Sequence, residues 1–406
     1  MKKWEIYTPD GVSDILFDRC SEKRKIEAEL RKLFVLSGYR ELETPTLEFY
    51  DVFGGDHALL RQEQMYKLTD SQGRLLVLKP DMTIPVARVI ATQFKNPVWP
   101  MKCCYIGNTF SSDEIGGGRQ NEFTQAGVEV FGAHTPEADA EIIATAVRSI
   151  LATGLVEFQI DIGEVEFFRG IMEESGLSEE EIEEIRYLID RKDYVAVEEV
   201  VELHQIECSL KQLILDLPKL FGSKEIVERL EGQQIGLRAK NALEYLKKVL
   251  DIVDDRGLSK YVSVDLGMVQ SLNYYTGIVF RGYTYGIGFP ILSGGRYNNL
   301  VSRFGLDCPA TGFSMGINLV MMALEHQHLS PKSTNQGVFV TYEPGCCKAA
   351  VKICESFQQE GRIAEMNLVE NSLAKSQSYA RMKGYNLLLN VKRDGEVEEV
   401  VLESFT

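Results

Sequence analysis

The chain has 406 residues and a net charge of −16, from 44 Lys and Arg against 60 Asp and Glu. That length suggests about two to four domains, and 44% hydrophobic with 26% charged residues is a folded globular composition, not a disordered one. The acidic balance argues against a broad phosphate-gripping surface; no run approaches the ~18 apolar residues of a membrane span.

The opening residues Met1-Lys2-Lys3-Trp4-Glu5 carry no apolar signal region, so the expected location is cytoplasmic. Eight cysteines, with adjacent pairs at Cys103-Cys104 and Cys346-Cys347 and no C-x-x-C, predict reduced thiols rather than a disulfide framework or a zinc site. No G-x-G-x-x-G, P-loop or H-E-x-x-H is present, and neither a metal nor a cofactor is expected.

In chain order, Ser21 to Gly38 carries Ile26, Leu30, Leu33 and Phe34 at helical spacing, with Gly38 as the stop. Short apolar runs at Leu75–Leu78, Cys103–Ile106 and Phe123–Phe131 predict strands. Thr135-Pro136-Glu137 opens a helix with a cap, an N1 proline and an early acid, and Gly154 closes it. Residues 171–258 read as a helical, acidic block. Between Glu173 and Glu202 stand 12 acids against Arg186, Arg191 and Lys192, and Ser178 with Glu181 forms a capping box. Strands return at Tyr261–Leu266, Val279–Tyr285 and Ile291–Leu292, and Asn318 to Glu325 predicts a helix. The segment from Ser330 to Asn335 reads as a linker, and the remainder alternates strands and helices as one small α/β domain. The order is not a regular β-α-β alternation, so the fold class is α+β with a mainly antiparallel sheet. The expected domains are 1–170 with 259–329, an insertion at 171–258, and 330–406.

Phe123–Phe131 is the most informative strand. Period two puts Ala126, Val128 and Val130 on one face and Gln125, Gly127 and Glu129 on the other. A glycine between two hydrogen-bonding side chains leaves room for a ligand; a solvated face with a bulge at Gly127 is the alternative. Asp81 and Thr83 form a second polar pair, able to hold an ammonium group or to cap the helix ahead of Pro85-Val86-Ala87-Arg88. Tyr274 and Tyr275 could pack on a planar ligand or fill a core. Gly116-Gly117-Gly118-Arg119 and Gly294-Gly295-Arg296 read as a hairpin tip and a tight turn, and His326-Gln327-His328 as an exposed helix end.

Together these segments resemble the histidyl-tRNA synthetase family over nearly the whole chain. Thr8-Pro9-Asp10-Gly11-Val12-Ser13-Asp14 is similar to its N-terminal signature, and Met65 to Arg88 to the segment carrying R-P-E-G-T-x-P-x-A-R. Tyr105-Ile106-Gly107 through Gly132 resembles motif 2 and the following strand, Leu272 to Gly277 the L-D-Y-Y-T-G segment, and Gly312 to Gly316 motif 3. The resemblance implies a class II aminoacyl-tRNA synthetase-like sheet flanked by helices, with a C-terminal domain like the anticodon-binding one. It also implies a histidine pocket, with Asp81, Thr83 and Gln125 at the α-amino group, Glu129 and Tyr275 at the imidazole, and Tyr274 adjoining. Asp81 stands where the family has glutamate.

The departures bear on function. Where the family has arginine in F-R-x-E, R-G-L-D-Y-Y and G-L-E-R, this sequence has Ser111, Gln270 and Leu319. One donor to charge building in a transition state is worth ~3–4 kcal/mol, so aminoacylation is not expected and no residue is assigned as catalytic. Residues 331–406 hold 9 basic and 10 acidic residues, a poor grip for RNA. A synthetase-like chain without ATP machinery resembles the regulatory subunits of ATP phosphoribosyltransferase. That family implies a homodimeric core, assembly with short catalytic subunits into a hetero-oligomer, and feedback inhibition by L-histidine in histidine biosynthesis, with no tRNA and no membrane among its partners. An active or degenerate histidyl-tRNA synthetase is the alternative.

Overall fold

A computed structural model describes residues 4–54, 62–112, 120–191, 193–204, 206–269, 274–330, 337–369 and 372–402. The chain divides into two compact units, 1–330 and 331–406.

The described residues of the first unit form twelve strands: β1 (Arg40–Glu41), β2 (Leu47–Phe49), β3 (Lys67–Thr69), β4 (Leu75–Leu78), β5 (Met101–Phe110), β6 (Glu122–Phe131), β7 (Phe158–Glu164), β8 (Phe221–Gly222), β9 (Val262–Asp265), β10 (Ile278–Thr284), β11 (Leu292–Arg296) and β12 (Ala310–Gly316). Nine of them form one sheet in the order β1-β5-β6-β12-β11-β10-β7-β9-β8. Among the described residues of this sheet only β1–β5 and β7–β9 pair in parallel, as expected for an α+β fold. Strands β2, β4 and β3 form a small antiparallel sheet beside it.

One face of the large sheet is covered by helices. Helix α1 (Phe17–Leu36) presents Ile26, Leu30 and Phe34, and α2 (Tyr50–Phe53) and α3 (Thr83–Gln93) follow on the side of the small sheet. Helix α4 (Pro136–Ala152) starts where the sequence predicts: the Thr135 side chain accepts from Ala138 N, with proline at the first turn. Its Ile142, Ile143, Ala146 and Val147 pack with Val128, Val130 and Phe313 in the main core.

The acidic block forms α5 (Val165–Ser175), α6 (Glu179–Asp190), α7 (Tyr194–Glu202), α8 (Cys208–Asp216), α9 (Glu225–Glu231) and α10 (Leu237–Asp255). Ser178 and Glu181 form the capping box at the start of α6. The apolar stripes of these helices join the main core through Ile185, Val201, Leu213, Leu243 and Leu246. Helices α5 and α10 approach at Gly170, where a Cβ would stand 2.5 Å from the backbone nitrogen of Ala239. The block also contributes β8, which extends the sheet edge by pairing with β9. Helix α11 (Ile317–His326) closes this unit, with His326 and His328 exposed.

A second core lies on the other side of β5 and β6. There Met82, Ile84 and Val86 of the α3 region pack with Val77, Tyr105, Phe131, Tyr297 and Leu300. The candidate site lies on this second side. The second unit holds β13 (Val338–Tyr342), β14 (Ala364–Met366), β15 (Leu387–Val391) and β16 (Val397–Val401) in the order β14-β13-β15-β16, with α12 (Cys347–Gln359) and α13 (Leu373–Met382).

One expectation is overturned. Gly294-Gly295-Arg296 is not a tight turn: these residues lie inside β11, paired with β10 and β12. Residues 116–119 and 331–335 lie outside the described residues.

Candidate functional site

Strand β6 is buried on both faces, for different reasons. Ala126, Val128 and Val130 enter the main core, as the period-two pattern requires. On the opposite face the carboxyl of Glu129 is fully buried, 0% exposed, among hydroxyls. Tyr105 Oη donates to Oε1 at 3.0 Å and Tyr297 Oη to Oε2 at 2.5 Å. Thr83 Oγ1 stands 3.4 Å from the Tyr105 hydroxyl, extending the chain of polar groups toward α3. The carboxyl leans over Gly312, which faces it across the β6–β12 ladder; a Cβ there would stand 1.5 Å from Oε2. Glycine is therefore required at 312 for space.

Burial pushes the Glu129 carboxyl up to about 8; the charge of Asp81 adds to the rise, while the hydroxyls of Tyr297, Thr83 and Tyr105 act against it. Among the described residues no lysine, arginine or histidine forms an ion pair with Glu129 or Asp81. Asp81 is pushed up to about 6 by burial, against the backbone N–H groups of Ile84, Thr83 and Met82. Its Oδ1 accepts from Ile84 N at 2.8 Å at the start of α3, so the capping role is real and the acid also shares its surroundings with Glu129. Gln125 accepts from Met82 N at 3.2 Å through Oε1, which ties β6 to the same turn.

The tyrosines complete the enclosure. Tyr274 stacks on Tyr297 with ring centroids 5.5 Å apart and meets Tyr275 edge-on at 4.8 Å. The Tyr275 ring packs over Gly295, where a Cβ would be 2.8 Å from the ring. Gly295 faces Gly312 across β11–β12, so Glu129 and Tyr275 flank Gly312 from either side.

The structure thus brings Asp81, Thr83, Gln125, Glu129, Tyr274 and Tyr275 into one neighbourhood, and corrects one detail. Gly127 does not leave room for a ligand. A Cβ on it would lie 2.5 Å from Tyr105 Oη and 2.4 Å from Phe313 O, so the Tyr105 ring already fills that space. Tyr105 and Tyr297 were not singled out from the sequence. Tyr105 sits directly across from Gly127 in the β5–β6 register, and Tyr297 is one residue beyond β11, so only strand pairing reveals them.

Of the three positions that lack arginine, Ser111 follows β5, its backbone N donating to Asn121 O at 2.9 Å, and Leu319 packs against the main core. Gln270 lies outside the described residues. Among the described residues no group of three or more His, Cys, Asp and Glu forms a metal cluster, and no helix is long and apolar enough to cross a membrane.

Comparison with known proteins bears on the family and the fold. Residues 11–320 match the histidyl-tRNA synthetase family. A relative from Acetivibrio thermocellus, named an ATP phosphoribosyltransferase regulatory subunit, is 54% identical over 98% of this chain and 95% of its own length. Another of that name, from Ruminiclostridium cellulolyticum, is 46% identical over 98% of this chain and 95% of its own. A crystal structure from Bacillus halodurans, described as an ATP phosphoribosyltransferase regulatory subunit/histidyl-tRNA synthetase, superposes with a TM-score of 0.86 at 29% identity, covering 96% of this chain and 99% of that one. A histidyl-tRNA synthetase from Nostoc shares the fold, with a TM-score of 0.82 at 23% identity over 98% of this chain and 97% of that one. The chain belongs to the ATP phosphoribosyltransferase regulatory subunits, a family named for regulation rather than catalysis and built on the histidyl-tRNA synthetase fold.

Proposed function

We propose that this chain binds L-histidine between the Gln125/Glu129 face of β6 and Tyr274/Tyr275, and through that binding controls the short catalytic subunit of ATP phosphoribosyltransferase. The observation that carries it is Glu129, a buried acid held by two tyrosyl hydroxyls with no cationic partner among the described residues. Such a group favours a ligand that brings an N–H donor able to carry charge. A second acid nearby, Asp81, favours a ligand with a second cationic end. An imidazole and an α-ammonium group on one small molecule satisfy both, with Thr83 and Gln125 beside the ammonium.

Proton accounting sharpens the chemistry. The free imidazole titrates near 6.5 and Glu129 at about 8. Between those values a protonated acid meets a neutral ring, and moving the acid's proton to the ring makes an ion pair without exchange with solvent. Above about pH 8 a proton must be taken up on binding, and below about 6.5 one must be released; both weaken affinity. Tyr274 stacks on Tyr297, which holds Glu129, so a ligand at Glu129 acts on the tyrosine segment directly. If that segment shifts the surface shared with a catalytic subunit, the two binding events are coupled reciprocally. The relatives' name supports such a partner, and the synthetase-like fold supports a homodimeric core within the hetero-oligomer.

Calorimetric titration of the full chain with histidine tests the pocket. Heat is expected for histidine alone among the amino acids, with affinity flat from about pH 6.5 to 8, and lost in Glu129→Ala. Equal heats for other amino acids would sink the pocket. Histidine inhibition that survives Glu129→Ala in the assembled complex would place the inhibitory site elsewhere.

A further inference from the structure

The register carries one row of residues across the site-bearing face of the large sheet, two positions along from Glu129. Tyr105 faces Gly127, Gly127 faces Ser314, Ser314 faces Ser293, and Ser293 faces Arg281 on β10. Residues paired in this way point to the same side. Ser314, Ser293 and Arg281 are all half-buried. Among the described residues no hydrogen bond or ion pair engages the Arg281 guanidinium. Asp161, directly across from Arg281 on β7, is instead held by the Ser263 hydroxyl. The charge of Arg281 reaches two other groups: Tyr275, whose ring lies over Gly295, and Asp190 at the end of α6.

We propose that Arg281, with the hydroxyls of Ser293 and Ser314, receives the α-carboxylate of the bound amino acid. The inference rests on the histidine pocket above and adds its third anchor. With the ammonium at Asp81 and Gln125 and the ring at Glu129, the remaining substituent of the α-carbon points along the middle row, over Ser314 and away from β6. Gly127 and Arg281 are separated by three strand spacings, about 14 Å, a gap that the ligand and an extended arginine side chain divide between them. A planar guanidinium matches a carboxylate with two parallel N–H donors, and hydroxyls beside it donate to the same oxygens. The positions at Ser111 and Leu319 bring no positive charge to the ligand, whereas β10 brings one from the opposite end of the row. Asp190 is the resting competitor for that charge.

Calorimetry on the full chain with histidine, histamine and histidinol separates the anchors, since the last two keep ring and amine but lack the carboxylate. Wild type is expected to bind histidine at least tenfold more tightly than histamine or histidinol. Arg281→Gln should bring histidine down to the histamine level and leave histamine unchanged. Arg281→Lys, which keeps the charge without the paired donors, should fall between. An Arg281→Gln variant that weakens both ligands equally, or neither, overturns the carboxylate anchor while leaving the pocket standing. No binding of any of the three to wild type overturns the pocket itself. Should Arg281→Gln not fold, Ser314→Ala decides: a histidine-to-histamine ratio that shrinks supports the anchor, and an unchanged ratio overturns it.

Discussion

Two fully buried acids lie on opposite sides of the same sheet, and their surroundings differ in one respect. Asp139 on α4 is clasped by Arg296, with Nη2 to Oδ1 at 2.9 Å and Nε to Oδ2 at 3.0 Å, and Tyr245 donates to Oδ2 at 2.7 Å. The same guanidinium donates to Ala133 O and to Asn298 Oδ1, so its charge is used within the fold. Glu129 has tyrosyl hydroxyls and, among the described residues, no cation. Consecutive residues serve the two acids: Arg296 reaches Asp139, and Tyr297, pointing to the other face, reaches Glu129. An acid supplied with its own arginine is part of the architecture. An acid buried beside hydroxyls alone is destabilised when ionised, and that deficit is what a cationic ligand relieves.

The contrast predicts opposite responses to mutation. The largest effect is expected from Arg296→Met, which leaves Asp139 buried without its charge partner. Loss of stability on the order of 3–5 kcal/mol in urea unfolding is expected, and a loss below about 1 kcal/mol would erase the distinction between the acids. Glu129→Gln should act the other way. Because the folded acid titrates at about 8 against an ordinary 4.5, its penalty is absent below about pH 4.5, grows as the pH rises, and saturates above about 8. At pH 7 it amounts to at most about 3 kcal/mol. The variant should therefore be more stable than wild type at pH 7, with the difference vanishing near pH 4.5, while losing its heat with histidine. A variant less stable at pH 7 than at pH 4.5, relative to wild type, would show an unrecognised internal cation. The smallest effect is expected from Tyr105→Phe, which removes one hydroxyl from Glu129 and costs about 1 kcal/mol of stability or a fewfold of histidine affinity.

Much of this was legible in the residues. The alternation from Phe123 to Phe131 placed Val128 in the core and Glu129 opposite, because strand parity is set by the chain alone. The Thr135 cap and the Ser178–Glu181 box fixed two helix starts, since both motifs act within one turn. Asp81 with Thr83 stood out as a polar pair and Tyr275 as one of an aromatic pair, each with a structural alternative; resemblance is what assigned them to the ends of a ligand. Tyr105 and Tyr297 escaped because their relation to Glu129 spans 24 and 168 residues. Gly294-Gly295-Arg296 was misread as a turn because three such residues look like a break in isolation. Inside the sheet, Gly294 and Gly295 admit the Phe280 and Tyr275 rings on opposite faces, and Arg296 is the partner of Asp139.

The sequence by itself determined the α+β class, the two-faced character of β6 and the absence of arginine at 111, 270 and 319, because these depend on residue identity and on spacing along one chain. Only the tertiary structure decided that Glu129 is closed in by two tyrosines, that Tyr105 fills the space over Gly127, and that Arg281 shares a row with Ser293 and Ser314. The reason is register: which residues face each other across a sheet is fixed by the pairing of strands distant in sequence, and the charge balance of a buried acid depends on what that pairing brings to it.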